Sequence, residues 1–236
     1  MCILPHPSYL SAGFLICKDF FMEYVIDGII NGVIQTTLLE WIAVATGLAS
    51  VWFSMKENIW VYPTGIVSVL IYVYIAFQYK LYADMGVNFY YFVMSVYGWY
   101  YWIHPKSDSR DQVAVTMNSA KENFFSAALT IGSFGILFYV LTNFTDSDVA
   151  FWDSLTTCFA ILGMFLMARK KLESWVAWII TDLISIPLYF YKGLVLTSFQ
   201  FLVFTAIAFG GFFAWKKSME KNTDEVIRNE MNLVES

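Results

Sequence analysis

The chain has 236 residues, 58% hydrophobic, 19% aromatic and only 14% charged, with a net charge of −5 and a mean hydropathy of +0.58. Soluble domains carry charge on about a quarter of their residues, so this composition excludes an ordinary water-soluble globule and points to lipid as the solvent. Three scattered cysteines, Cys2, Cys17 and Cys158, offer neither a disulfide framework nor a zinc site.

Residues 1–21 hold a short apolar patch without the basic lead-in or small-residue cleavage site of a signal peptide, and Met22 is an alternative start. From Glu23 to Glu40, Val25, Ile29, Ile30, Val33 and Ile34 recur at helical spacing, as expected of a helix lying at the membrane interface. The first 36 residues thus read as an extension, followed by a transmembrane domain over 37–217 and a charged cytoplasmic tail over 218–236. Spanning needs about 17 to 25 predominantly apolar residues. Seven stretches qualify: 37–55, 59–78, 86–103, 124–144, 149–168, 174–191 and 195–215. The fold class expected is an all-α polytopic membrane protein.

Lysine and arginine are distributed unevenly between the loops. One side holds Lys56, Lys106, Arg110, Lys121, Arg169, Lys170, Lys171, Lys216, Lys217, Lys221 and Arg228; the other holds Lys18, Lys80 and Lys192. Positive charge collects on the cytoplasmic face, which puts the amino terminus outside and the carboxyl terminus inside. A shift of 112 residues lays Phe53 on Phe165, Met55 on Met167, Tyr79-Lys80 on Tyr191-Lys192, Asn88 on Gln200, Phe92 on Phe204 and Gly98 on Gly210. It maps the first three spans onto the last three. The expected architecture is therefore two parallel three-helix repeats, 37–103 and 149–215, joined by a linker helix at 124–144.

The sixth span is the most informative. Trp175, Trp178, Asp182, Ser185 and Tyr189 fall along one helical face. A carboxylate at that depth is costly and normally faces a protein interior or a water-filled path. No lysine or arginine is expected at its depth, so the neutralising partner can arrive with a substrate. Trp178 shares the face and is suited to stacking a planar cation. Asn88, Tyr91 and Ser95 make a polar-aromatic stripe on the third span, and Gln200 and Phe204 make one on the seventh. Trp99, Trp102 and Trp215 end their spans where an aromatic belt would lie. Pro63 and Pro187 are placed to interrupt their helices.

Absences narrow the function classes. His6 and His104 both fall outside the spans, and there is no phosphate-binding glycine loop. No metal, cofactor, ATP hydrolysis or nucleic-acid partner is expected. A membrane-embedded enzyme or receptor is the distant alternative to transport.

The runs Trp60-Val-Tyr-Pro63-Thr-Gly65-Ile and Asn88-Phe-Tyr-Tyr91-Phe-Val-Met-Ser95-Val-Tyr-Gly98-Trp99-Tyr-Tyr-Trp102, with Glu173-x-Trp175-x-x-Trp178 and Tyr191-Lys-Gly193, resemble the PnuC vitamin transporters from about Leu38 to Lys217. The resemblance implies a seven-helix, SWEET-like fold, a homotrimer in the bacterial inner membrane, and facilitated uptake of nicotinamide riboside, drawn inward by a cytoplasmic kinase that phosphorylates it. It also implies a mid-membrane site built from the third, sixth and seventh spans. One departure stands out: Asp182 occupies a position where an asparagine is expected. A thiamine-carrying relative is the runner-up, because both vitamins carry a fixed positive charge on an aromatic ring. The expected substrate-binding residues are Asp182, Trp178, Gln200, Asn88, Tyr91, Ser185, Tyr189 and Phe204.

Overall fold

The computed structural model describes residues 22–105 and 113–234, which are helical apart from turns and an isolated bridge between Thr116 and Lys171. Helix α1 covers 22–35, and a break at Thr36 and Thr37 splits the expected 23–40 helix in two. Thr37 caps α2 (Leu38–Met55): its hydroxyl accepts from the Glu40 N–H while the Glu40 carboxylate accepts from the Thr37 N–H. This reciprocal cap satisfies two otherwise orphaned donors. After it come α3 (Val61–Gln78), α4 (Tyr82–Trp102), α5 (Ala120–Phe144), α6 (Ala150–Ala168), α7 (Glu173–Tyr191) and α8 (Val195–Val234). Ser119 and Glu122 form the same cap, so α5 starts four residues before its expected boundary. Helix α8 runs unbroken for 40 residues and absorbs most of the charged tail.

Six helices, α2, α3, α5, α6, α7 and α8, are long and apolar enough to cross a membrane, against seven expected. The difference is α4. It has the length, at 21 residues, but Asp84, Asn88 and its run of tyrosines lower its hydropathy.

Helices α2, α3 and α4 pack consecutively, and so do α6, α7 and α8; α2 also touches α8, α4 touches α6, and α5 lies against α6. The two triplets repeat one another's contacts, but 113 residues apart rather than the expected 112. Helices α2 and α6 end at Met55 and Ala168, α3 and α7 at Gln78 and Tyr191, and α4 and α8 begin at Tyr82 and Val195. Ser68 Oγ donates to the Ala43 carbonyl (2.8 Å), and Thr181 Oγ1 donates to the Thr156 carbonyl (3.5 Å). The backbone turns recur too. Glu57 and Lys170 follow the caps of α2 and α6 with φ of 53° and 56°, and Lys80 and Gly193 follow those of α3 and α7 with φ of 58° and 75°. In each case the next N–H reaches back to the helix: Asn58 to Phe53, Lys171 to Leu166, Leu81 to Ala76 and Leu194 to Tyr189. This left-handed stop consumes carbonyls that a helix end leaves free.

The turns after α2 and α6 cover an aromatic core. Trp102, Trp175, Trp215 and Tyr62 are all buried, so Trp102 and Trp215 are not belt residues; Trp99, 39% exposed, faces outward. Tyr62 meets Trp102 edge-on at 5.2 Å and 86°, and Trp175 meets Trp215 edge-on at 5.4 Å and 86°. Gly98 and Gly211 let those rings in. A Cβ at Gly98 would sit 2.5 Å from the Tyr62 hydroxyl, and one at Gly211 2.5 Å from the Trp175 ring. Neither proline ends its helix. Pro63 lies in the first turn of α3, where its missing N–H costs nothing. Pro187 lies within α7, and Ser198 Oγ of α8 donates to the neighbouring Ile186 carbonyl at 2.8 Å.

Gly211→Ala should lower the thermal midpoint of the detergent-solubilised protein, by overpacking worth about 1–3 kcal/mol. Gly135→Ala, on α5 with nothing within 4 Å, should leave the midpoint level or raise it. Equal midpoints for both variants would show that the Gly211–Trp175 contact does not hold the triplet together.

Candidate functional site

Between the two triplets lies a cavity of about 570 Å³, within the range that takes a small-molecule ligand. Its lining obeys the 113-residue register almost throughout, pairing Val44 with Thr157, Val51 with Met164, Val69 with Asp182, Tyr72 with Ser185, Val87 with Gln200, Asn88 with Phe201, and Tyr91 with Phe204. Asn88 and Gln200, expected to correspond, are thus neighbours of equivalent positions rather than equivalents.

All eight residues singled out from the sequence line this one cavity: Asn88 and Tyr91 from α4, Trp178, Asp182, Ser185 and Tyr189 from α7, and Gln200 and Phe204 from α8. Asp182 is only 4% exposed. No hydrogen bond or ion pair among the described residues uses its carboxylate. The ion pairs there are Arg169 and Lys171 with Glu122, Lys170 with Glu57, Lys192 with Asp153, and Lys221 with Glu225. The first four lie at helix ends and turns, and the last lies on the tail part of α8 beyond Trp215. Among the described residues, no lysine or arginine lines the cavity. A desolvated anion without a protein partner is strongly disfavoured, so this geometry suits a ligand that brings the opposite charge.

The surroundings supply aromatic faces and free polar groups. Trp178 stands edge-on to Tyr91 at 6.3 Å between ring centroids. A Cβ at Gly163 of α6 would lie 3.0 Å from the Trp178 ring, so that glycine sets how far the indole sits back from the cavity. Tyr189 stacks on Phe201 at 5.1 Å. Asn88, which lines the cavity, donates through Nδ2 to the Asp84 carbonyl at 2.9 Å, and its side-chain oxygen makes no hydrogen bond with other described residues. The side chains of Ser185 and Gln200 make no hydrogen bond with other described residues and line the same space.

The sequence reading missed several lining residues. Asp84 was placed in a linker, yet it lies in the first turn of α4 and adds a second acid to the cavity lining. A window of apolar residues started α4 too late to include it. Ser50, Tyr72, Thr157 and Met164 also line the space. They carry no signal beyond helical spacing, and only packing shows which way they face.

A family model described as nicotinamide mononucleotide transporter matches residues 37–217. The nicotinamide riboside transporter PnuC of Escherichia coli (strain K12) is 27% identical over 207 residues, covering 76% of this chain and 87% of that protein. The riboflavin/roseoflavin transporter RibM of Streptomyces davaonensis is 25% identical over 175 residues, covering 72% of this chain and 80% of its own. Among solved structures, the crystal structure of the vitamin B3 transporter PnuC shares the fold with a TM-score of 0.63 at 20% identity, covering 86% of this chain and 92% of that one. With three quarters of its length matched by the family model and a cavity set between paired helix triplets, this multi-pass membrane protein belongs to the nicotinamide mononucleotide transporter family, the PnuC transporters.

Proposed function

We propose that the protein carries nicotinamide riboside into the cell across the bacterial inner membrane by facilitated diffusion, with a cytoplasmic kinase trapping the vitamin by phosphorylation. The carrying observation is Asp182, buried, unpaired and facing a cavity that holds no basic side chain. In this reading Asp182 supplies counter-charge to the pyridinium. Trp178 and Tyr91 stack the ring, an attraction worth about 2 kcal/mol when desolvated. Asn88 and Gln200 bind hydroxyl or amide groups, and Ser185, Tyr189 and Phe204 complete the wall. Thiamine carries the same kind of fixed charge and is the alternative cargo. Riboflavin, in the name of the Streptomyces relative, is uncharged and would leave Asp182 without a partner. The relatives are named as transporters, which favours transport over a membrane enzyme or receptor.

The architecture proposed with this function has seven spans, α4 included, as two parallel three-helix repeats linked by α5 in a SWEET-like arrangement. Its support is the recurrence at 113 residues of helix ends, left-handed turns and the Ser68 and Thr181 hydrogen bonds. Rocking of one triplet against the other would expose the cavity to each side in turn. The surplus of lysine and arginine on one side supports an external amino terminus and a cytoplasmic carboxyl terminus. A homotrimer is part of the same reading.

Thermal shift of the purified protein with nicotinamide riboside, thiamine and riboflavin side by side should show the largest stabilisation with nicotinamide riboside. A ligand at a hundred times its Kd adds about 2.7 kcal/mol. No stabilisation by either cationic vitamin would remove the assignment. Asp182→Asn should weaken the cationic vitamin at least tenfold, about 1.4 kcal/mol, while a neutral reduced analogue loses little. Equal weakening of both by calorimetry would exclude the counter-charge role.

A further inference from the structure

We infer that the aromatic core beneath the cavity, together with the Glu57–Lys170 pair, is a gate that closes one end of the transport path and must part for cargo to leave there. This rests on the transport reading. The end concerned is the one carrying the α2–α3 and α6–α7 turns.

The bonds that hold this end together cross from one triplet to the other, and they do so reciprocally. Trp102 Nε1, at the end of α4, donates to the Met167 carbonyl of α6 at 3.3 Å. Trp215 Nε1, of α8, donates to the Ser54 carbonyl of α2 at 2.8 Å. Both donors and both acceptors are 113 residues apart, so each triplet places its tryptophan on the other's helix end. Ser54 Oγ also donates to Met167 Sδ at 2.9 Å, joining two equivalent positions directly. Lys170 Nζ lies 3.0 Å from Glu57 Oε2 and 4.6 Å from the Trp102 ring centroid. Glu57 and Lys170 are equivalent positions as well. A fold held only within each triplet needs none of these bonds.

The Tyr62 hydroxyl and Trp175 Nε1, at equivalent positions, make no hydrogen bond with other described residues, and both residues line the cavity. The aromatic core therefore lies directly between the cavity and the bonds that cross from one triplet to the other.

The test uses the full chain in vesicles, with Cys2, Cys17 and Cys158 replaced by serine and Ser95→Cys introduced as the reporter. Ser95 is buried, lines the cavity and has no hydrogen-bond partner among the described residues. A membrane-impermeant maleimide is applied from each side in turn. Glu57→Gln, and separately Trp215→Phe, which keeps an aromatic ring but removes the indole N–H and some volume, should speed labelling from the turn end about tenfold. Labelling from the opposite side should fall or stay level. Unchanged labelling from the turn end in both variants, with thermal midpoints near that of the parent, would overturn the gate. The readout needs no vitamin. Loss of the nicotinamide riboside assignment would therefore leave accelerated labelling intact, whereas loss of the gate would leave vitamin binding intact.

Discussion

A carboxylate in the middle of a spanning helix has few stable arrangements. It can be matched by a basic group of the protein, reach a helix end, or face a space where something else supplies the charge. Asp182 does neither of the first two: it lies mid-helix and lines the cavity, with no ion pair to other described residues. The lysines and arginine that form ion pairs sit at turns or on the protruding part of α8, and among the described residues the cavity walls offer apolar and aromatic side chains, hydroxyls, amides and a second acid, Asp84, but no basic group. Much of the surrounding packing serves this placement. Gly163 admits the Trp178 indole, Thr181 ties α7 to α6 one residue before the acid, and Ser198 ties α7 to α8 a turn beyond it.

The two triplets share a backbone plan but divide the chemistry unequally. Where α7 carries Trp178 against Gly163, α3 carries Gly65 against Ser50, and a Cβ at Gly65 would lie 2.8 Å from the Ser50 hydroxyl. Where α7 has Asp182, α3 has Val69; where α8 has Gln200, α4 has Val87. The buried carboxylate Asp182 and the Trp178 indole both come from the second triplet, while the first contributes Asn88, Tyr91 and the second acid, Asp84. Two triplets with one backbone plan can keep the same helix stops and cross-bonds while their walls differ, because stops depend on backbone geometry and walls on side-chain choice.

What the sequence made legible follows from the cost of putting polar groups in lipid. Spanning lengths, the depth of Asp182 and the helical face it shares with Trp178 and Tyr189 were all readable, because lipid tolerates few alternatives. The register was not. Identities such as Phe53 with Phe165 favour a shift of 112, but apolar matches are cheap. The true equivalents often differ in type, as with Val69 and Asp182 or Tyr62 and Trp175. Trp102 and Trp215 looked like belt residues because a tryptophan at a span end does not reveal whether it faces lipid or a neighbouring helix. The start of α5 is written in the sequence as Ser119 followed by Glu122, a capping signature that hydropathy does not register.

Helix α8 has one more consequence. Its 40 residues form a single rod, and at 1.5 Å per residue the part beyond Trp215 extends about 28 Å past the aromatic core. Because nothing hinges it, the protruding arm must swing with the second triplet. A tilt of about ten degrees at the core would carry the far tip some 5 Å, roughly a helical pitch. The arm works as a pointer, turning small motions inside the bilayer into displacements that a probe outside it can follow.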